Sequence, residues 1–360
     1  MTPHGTARGP APLGIAVVGC GRWGANHVRV AADTAGVRLV GVVDADPEQR
    51  HQAGQSHGVP AWSTLEQALE DRRVEAVIVA TPAGTHAELV RRALLAGRHV
   101  LVEKPAAMSV ADASEMVRIA AGAGRQLSAG HTFLYAQPVR NIASWLRDVG
   151  PSRPWLARSE RLGGRRRADC SVLWNFGPHD VSLLLHLLGE PVVEVAARGH
   201  RFPGSGRLDT VTVDLGFASG ARGEIYLGWR HPGAKRSLRL LGEDWALRYR
   251  HGHLDGQDVL TLTGRPEDAV LGSGCLRDER NALGGYVEPL HRQLEEFASA
   301  CRTGTPTVTG PEHLLAITSV LEAAEYSAAL GGLPYRIASA AVSSEDRPSF
   351  TAFATTWPRT

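Results

Sequence analysis

The chain has 360 residues, of which 43% are hydrophobic and 21% are charged, and its formal net charge is +2. This length exceeds the roughly 100 to 200 residues of a usual domain, so we expect two domains. The charge is too small and too scattered for a nucleic-acid partner. No apolar run approaches the roughly 20 residues of a membrane-spanning helix, so no membrane partner is expected either.

The cysteines and the two ends of the chain favour a cytoplasmic protein. Cys20, Cys170, Cys275 and Cys301 show no CxxC spacing, so neither a zinc site nor a disulfide framework is predicted. We expect no metal. Residues 1–12 lack the apolar core of a signal peptide and are predicted to form a disordered tail. Residues 341–360 are predicted to form a second flexible tail.

The first patterned segment is a short strand, a glycine-rich turn and a helix. Residues 15–18 are apolar, Gly19-Cys20-Gly21-Arg22-Trp23-Gly24 follows, and residues 25–35 have a helical pattern. In a dinucleotide site the first glycine permits the turn, the second lets the backbone approach the pyrophosphate, and the third packs helix on strand. Arg22 and Trp23 are expected beside the cofactor, although plain packing explains Trp23 equally well.

A carboxylate follows at the spacing that such a site requires. Residues 37–43 read as a second strand that ends at Asp44, twenty residues after Gly24. An acid at this place accepts the hydroxyls of the adenosine ribose and repels a 2′-phosphate, so NAD is the expected cofactor. The nearby Arg50 keeps NADP as an alternative. A glycine turn without any ligand is the other reading of the motif.

Strands and helices then alternate to about residue 131. Helices are predicted at 47–56, 64–70, 85–95 and 109–123, and strands at 59–62, 74–80, 98–102 and 126–130. Six strands with helices between them predict an α/β fold, a doubly wound parallel Rossmann sheet over residues 13–131.

From residue 155 the pattern changes to strands, at 192–197, 210–217, 221–228, 237–241 and 245–249. One helix is predicted after Pro178, and helices return at 289–301 and 311–330. Residues 132–340 therefore read as an α+β domain with a large, mostly antiparallel, open-faced sheet. The uncovered face is expected to meet a second copy in a homodimer or homotetramer.

Lys104 is one of only two lysines in the chain, the other being Lys235. It follows the apolar residues 100–102 at the carboxyl end of a strand, where open α/β sheets bind ligands. Pro105 restricts its backbone. Lysine can lose its proton in a desolvated site whereas arginine cannot, so this position favours a chemical role. An ordinary exposed lysine is the alternative.

These segments together resemble the glucose-fructose oxidoreductase, inositol dehydrogenase and rhizopine-catabolism family, written Gfo/Idh/MocA. The most specific mark is Ala96-Gly97-Arg98-His99-Val100-Leu101-Val102-Glu103-Lys104-Pro105, which follows Thr81-Pro82 and Thr85-His86. The resemblance implies an NAD(P)-dependent oxidoreductase that acts on a CH–OH group of a sugar, nucleotide sugar or cyclitol. It also implies cofactor contacts by Thr81, Pro82, His86, Glu103 and Lys104.

The family's catalytic residues map onto two segments. The resemblance places Lys104 at the reacting oxygen and His179 at the catalytic histidine, while Asn175 stands where the family has aspartate. Because asparagine carries no charge, we hypothesise a lower pKa for His179 and a larger acid–base role for Lys104. Alternatively, His179 starts a helix, and Asp180 is an acid of its first turn.

Four further residues are candidates for substrate contact: His131, Tyr135, Arg158 and Arg166. For the last three, a scaffold or solvent-facing role is the alternative, and for His131 the equal alternative is a packing role at the domain junction. Two other functions compete with the dehydrogenase. One is a glycosidase or lyase that uses held NAD without net turnover, and the other is a non-catalytic dinucleotide-binding regulator. The exact substrate and the direction of reaction stay open.

Overall fold

A computed structural model describes residues 11–148, 153–254, 257–263 and 287–337. The predicted tails at 1–12 and 341–360 lie outside the described residues, apart from residues 11 and 12, and so does Cys275.

The first domain contains a six-stranded parallel sheet, as predicted. Its strands have the order β3-β2-β1-β4-β5-β6. This is the order of a doubly wound dinucleotide-binding sheet, and its direction reverses between β1 and β4, where such sheets bind ligands. The strands are β1 (Leu13–Val18), β2 (Val37–Val43), β3 (Ala61–Trp62), β4 (Ala76–Val79), β5 (His99–Val102) and β6 (Leu127–Ala129).

The helices of this domain are set by local capping signals. Asp46 accepts from the backbone N–H groups of Glu48 and Gln49, and Ser109 accepts from that of Asp112. Such caps satisfy the free N–H groups of a first helical turn, which is why the sequence predicted these starts closely. The helices are α1 (Arg22–Asp33), α2 (Pro47–His57), α3 (Leu65–Glu70), α4 (His86–Leu95) and α5 (Val110–Ala123).

The second domain is built on an eight-stranded sheet of order β13-β12-β11-β7-β10-β9-β8-β14. Strands β7 and β10 pair in parallel and the other neighbours pair antiparallel, which confirms the mostly antiparallel sheet. Its strands are β7 (Leu156–Leu162), β8 (Val192–His200), β9 (Thr210–Phe217), β10 (Arg222–Gly228), β11 (Lys235–Leu241), β12 (Ala246–Leu254), β13 (Gln257–Thr263) and β14 (Tyr335–Arg336). Strands β7, β13 and β14 were not predicted from the sequence.

The described residues contain four further α-helices: α6 (Gln137–Asp148), α7 (Val172–Leu188), α8 (Pro289–Thr303) and α9 (Pro311–Ala329). Helices α7 and α9 share one hydrophobic core with the second sheet. Helix α8 instead returns to the first domain, where Leu290, Leu294 and Phe297 pack with Leu13 and Ile15 of β1. The division at residue 131 stays a prediction. In the described parts of the chain, no helix has the length and apolar content to cross a bilayer.

The expected helix after Pro178 is wrong in its start. Helix α7 begins at Val172, and the Ser171 hydroxyl caps it by accepting from the Trp174 N–H at 3.4 Å. Pro178 lies inside the helix, where it removes one backbone N–H. His179 and Asp180 therefore lie in mid-helix, and the reading of Asp180 as an acid of the first turn is also wrong.

Candidate active site

The turn after β1 needs glycine at two positions for steric reasons. Gly19 has φ of 93°, and a Cβ there would lie 2.8 Å from the backbone of Ala80. A Cβ on Gly24 would lie 1.7 Å from the Gly19 carbonyl oxygen. Gly21 differs, since its Cβ would meet nothing closer than the Gln49 side chain at 3.7 Å. The protein alone does not require glycine at position 21, so the need lies with something that approaches the backbone.

Helix α1 directs unpaired N–H groups to the same place. Its first backbone bond runs from the Ala25 N–H to the Gly21 carbonyl at 2.8 Å, and no side chain caps the helix. The N–H groups of residues 22–24 thus lack helical partners, which makes this end an anion site. The indole of Trp23 is 46% exposed beside it.

Asp44 stands at the end of β2, next to this turn. Its carboxylate accepts from the Cys20 N–H at 2.6 Å and from the Asp46 N–H at 2.9 Å. The Arg50 guanidinium donates to the Asp44 carbonyl at 2.9 Å. The carboxylate is therefore fixed by the backbone and not neutralised by a direct ion pair with Arg50.

A cleft of about 930 Å³ runs from Asp44 to Lys104 and Asn175. This volume falls in the range of ligand and cofactor sites. Ten of the predicted cofactor residues line it: Gly19, Gly21, Arg22, Trp23, Asp44, Thr81, Pro82, His86, Glu103 and Lys104. The glycine turn, the free helix end and the fixed carboxylate fit the pyrophosphate and ribose of a dinucleotide.

His86 holds two segments of the cleft wall together. Its Nδ1 lies 2.8 Å from the Pro105 carbonyl oxygen and its Nε2 lies 2.8 Å from the Thr81 carbonyl oxygen. Burial lowers the pKa of this imidazole, and the two carbonyl oxygens oppose that shift. His86 thus joins the loop after β4 to the segment that carries Lys104.

A buried ion pair, His27 with Glu103, lies next to Lys104. His27 of α1 contacts the Glu103 carboxylate at 2.8 Å, and both side chains are buried. Burial alone would raise the pKa of Glu103, but the His27 hydrogen bond and the charges of His27 and Lys104 leave it lowered. The sequence analysis missed His27, although a histidine among the apolar positions of α1 was a visible signal.

Lys104 crosses from the first domain to α7. Its ammonium donates to the Asn175 carbonyl oxygen at 3.1 Å and to the Asn175 side-chain oxygen at 3.4 Å. Burial lowers the pKa of Lys104, Glu103 opposes this, and Arg167 and Arg161 lower it further. A lowered pKa brings this lysine closer to releasing its proton, which an arginine at the same place could not do.

His179 lies four residues after Asn175, one helical turn further along α7. Its ring packs edge-on against Phe133 with the centroids 5.1 Å apart. Burial lowers its pKa well below the usual value, and Lys104, Arg161, His131 and Arg236 act in the same direction. The imidazole is therefore neutral at pH 7 and can accept a proton, but its lowered pKa makes it a weaker base than an ordinary histidine. It does not line the dinucleotide cleft, whose inner end is formed by Lys104 and Asn175.

A second buried ion pair fixes α7 on the sheet. The Arg161 guanidinium of β7 donates to Asp180 at 2.6 Å, and the Ser159 hydroxyl donates to the same carboxylate at 2.5 Å. Arg161 also stacks over Phe133, 4.8 Å from its centroid. The sequence analysis missed this pair because it did not predict β7, so the inward alternation of Ser159 and Arg161 was hidden.

The four predicted substrate residues lie in different places. His131 is buried beside His313, and Tyr135 is buried with its hydroxyl 3.5 Å from that of Thr309. Arg158 pairs with Glu224 at 2.6 Å, and Arg166 pairs with Asp209 at 3.1 Å. None of the four lines the cleft described above. The residues 167, 169, 170 and 175 do line it from the second domain.

Two sequence models of one family match this chain. The model described as the oxidoreductase family with an NAD-binding Rossmann fold, Gfo/Idh/MocA, matches residues 13–131. The model of the Gfo/Idh/MocA C-terminal domain matches residues 138–248.

The chain is also similar to individual dehydrogenases and to a solved structure that contains NAD. The NAD-dependent scyllo-inositol 2-dehydrogenase of Bacillus subtilis is 26% identical, over 82% of this chain and 88% of that protein. The UDP-N-acetylglucosamine 3-dehydrogenase of Acidithiobacillus ferrooxidans is 26% identical, over 86% of this chain and 96% of its own. The crystal structure of GenD2 from gentamicin A biosynthesis, in complex with NAD, has a TM-score of 0.79 and 27% identity, and the match covers 94% of this chain and 100% of GenD2.

Proposed function

Since this chain belongs to the Gfo/Idh/MocA family of NAD-binding oxidoreductases, we propose that it oxidises a secondary alcohol of a sugar, nucleotide sugar or cyclitol, or reduces the matching ketone. The observation that carries this proposal is the contact of Lys104 with Asn175 at the inner end of the dinucleotide cleft. The substrate class is supported by the relatives, which act on scyllo-inositol and UDP-N-acetylglucosamine.

The cofactor residues in this proposal divide into three groups. Gly19, Gly21 and Gly24, with the helix end that includes Arg22 and Trp23, would hold the pyrophosphate, and Asp44 would hold the adenosine ribose. Thr81 and Pro82, braced by His86, form the wall on the side of the nicotinamide. Glu103, the residue before Lys104, positions the lysine. When bound, NAD would supply the hydride acceptor for the substrate carbon, and NADP is the weaker alternative because of the charge of Asp44.

The protein side of the reaction concerns the substrate oxygen. We assign Lys104 to polarise that oxygen and stabilise its developing negative charge. His179, which is neutral at pH 7, accepts the proton in the oxidation and returns it in the reduction. Asn175 orients the lysine through its two oxygen atoms. His131 borders these groups, whereas Tyr135, Arg158 and Arg166 would reach substrate only if their present contacts changed.

The proposal is tested by mixing the purified protein with NAD or NADP and a panel of scyllo-inositol, UDP-N-acetylglucosamine and gentamicin A. With the wild-type protein, the absorbance of the reduced nicotinamide should rise for one class of compound. With the Lys104→Met variant, it should not rise for any of them. Substrate cleavage without a change in that absorbance would support the glycosidase or lyase reading instead. Dinucleotide binding without turnover of any compound would support the regulator.

Two further expectations are proposals of the same kind. We propose a homodimer or homotetramer formed through the open face of the second sheet. We also propose a cytoplasmic location, which rests on the absence of paired cysteine motifs in the sequence.

A further inference from the structure

A row of histidine side chains extends from the inner end of the active site into the second domain. His179, Ser182 and His186 recur at spacings of three and four residues, so they share one face of α7. His313 of α9 lies 2.9 Å from the Ser182 hydroxyl through its Nε2. The rings of His131 and His313 meet edge to face with their centroids 5.7 Å apart. We call these five residues the histidine file.

Two rings of the file contain a nitrogen without a partner. Nδ1 of His131 and Nδ1 of His179 are buried and make no hydrogen bond to the described residues. A buried polar atom without a partner destabilises the fold, so a packing role explains it poorly. Each atom is instead available to a water molecule or a reacting group, which would connect the rings.

The rings of the file influence each other electrostatically. Burial lowers the pKa of His131, and the charges of His313 and Lys104 lower it further. Burial also lowers the pKa of His313, to about 4, and His186 adds to this shift. His131 in turn lowers the pKa of His179. Neutral imidazoles have one donor and one acceptor nitrogen, so each ring can take a proton on one side and release it on the other.

The outer end of the file meets charged groups nearer to the surface. Burial lowers the pKa of the half-buried His186, Arg147 lowers it further, and Glu296 opposes them. The Glu296 side chain accepts from the Val308 N–H at 3.0 Å. The negative charge of Glu296 thus favours a proton on His186, the last ring, before that proton leaves to water.

We propose that His131, His313 and His186 conduct the proton between the reacting oxygen and solvent. This inference rests on the function proposed above. In the oxidation, one proton and two electrons would leave the substrate carbon together as hydride, for which NAD would be the acceptor, and the hydroxyl proton goes to His179. It then passes to His131, to His313 and to His186, and leaves to water beside Glu296. Reduction uses the same groups in reverse.

The first test measures proton exchange in the protein without substrate. Nitrogen-15 NMR should show the ring N–H of His131 exchanging with water about tenfold more slowly in a His313→Gln variant, which cannot relay a proton but can still bond Ser182. A His200→Gln variant, changed at an exposed histidine outside the file, should exchange as the wild type does. An unchanged exchange rate in His313→Gln would overturn the proposal.

The second test uses turnover. With a substrate identified, kcat of His313→Gln should fall about tenfold, less than when a direct proton acceptor is lost, and imidazole in the buffer should restore it. The affinity for NAD, measured by calorimetry, should not change. A lower kcat that imidazole fails to restore would indicate a structural role and count against the path.

A milder variant covers the case in which His313→Gln does not fold. Ser182→Ala removes only the hydroxyl that orients His313, so the exchange at His131 should slow by a smaller factor than in His313→Gln. If no compound is turned over by the wild type, the proposed function fails, whereas the exchange rates still decide whether the histidines conduct protons.

Discussion

Lys104 and Asn175 form the contact on which the proposed chemistry depends, and a single charge added there should be visible in the pH dependence. In Asn175→Asp, a carboxylate would lie about as far from the ammonium as the present amide oxygen, 3.4 Å. An opposite charge so close typically raises a lysine pKa by about one to three units. One turn further along α7, the same charge also raises the pKa of His179, the proposed proton acceptor, so the acidic limb of the pH–rate profile for oxidation should move to higher pH.

Asn175→Ala is the control for this experiment, because it removes the amide without adding charge. Its acidic limb should not move to higher pH. Identical profiles for the wild type and Asn175→Asp would show that neither Lys104 nor His179 carries the proton in the rate-limiting step.

Asp44 should decide between the two dinucleotides. Asp44→Asn keeps the shape of the side chain but removes the charge that would repel a 2′-phosphate. A hydrogen bond to a charged group contributes about 1.5–3 kcal/mol, so NAD should bind about tenfold more weakly or worse, while NADP gains. Calorimetric titration with each dinucleotide measures both changes. Asp33→Asn, at a carboxylate that is 80% exposed, should change neither affinity.

At the scale of elements, the strand, turn and helix at the start of the chain offer a matched pair of variants. Gly24→Ala places a methyl group 1.7 Å from the Gly19 carbonyl oxygen, and such overpacking costs about 1–3 kcal/mol of unfolding free energy. Gly21→Ala meets no close atom, so its stability should match the wild type while its affinity for NAD falls about tenfold. Denaturant unfolding and calorimetry separate the two effects. Equal NAD affinity in Gly21→Ala would contradict a pyrophosphate at this turn.

The attachment of α7 to the second sheet should depend on the Arg161 and Asp180 pair. Their side chains are 7% and 2% exposed. Arg161→Met leaves a buried carboxylate without its cation, which typically costs about 3–5 kcal/mol. The double variant Arg161→Met/Asp180→Leu removes both charges and should lose clearly less. Urea unfolding of the four proteins of this cycle measures the coupling, and simple additivity would show that the pair does not hold the helix.

The elements also show where sequence reasoning succeeded. In the first domain the signals are local, such as the Asp46 and Ser109 caps and the fully apolar β1 and β4, so the elements and their order followed from the pattern. In the second domain, Pro178 suggested the start of a helix, although that helix begins earlier, after its cap at Ser171. Strand β7 mixes inward polar residues with apolar ones, because Arg161 and Ser159 are matched to Asp180 and not to the core.

The same distinction applies to the active site. Lys104 and the residues of the cofactor cleft could be found from motif spacing, because each belongs to one strand end or one turn. The partners of these residues could not. His27 reaches Glu103 across 76 positions, and Lys104 reaches Asn175 across 71. Such pairs depend on the packing of distant elements, for which a single sequence has no periodic signal.

At the scale of the whole molecule, the uncovered face of the second sheet should decide the oligomeric state. Tyr226 of β10 is 42% exposed on that face, between neighbours that include Glu160 of β7. Tyr226→Lys puts a charge into the proposed interface and should shift the mass measured by light scattering toward the monomer. Tyr326→Lys changes a tyrosine of α9 that is 54% exposed and should leave the mass unchanged. A wild-type monomer would refute the assembly.

The bond from the lysine of one lobe to the helix of the other has a mechanical consequence. Moving the lobes apart must break both contacts of the amine with Asn175, and those contacts are stronger when the amine is charged. The free energy needed to separate the two domains at the cleft should then depend on whether the Lys104 amine is protonated. Loss of that proton would weaken the contact between Lys104 and Asn175. Domain opening and the chemical step would then depend on the same protonation.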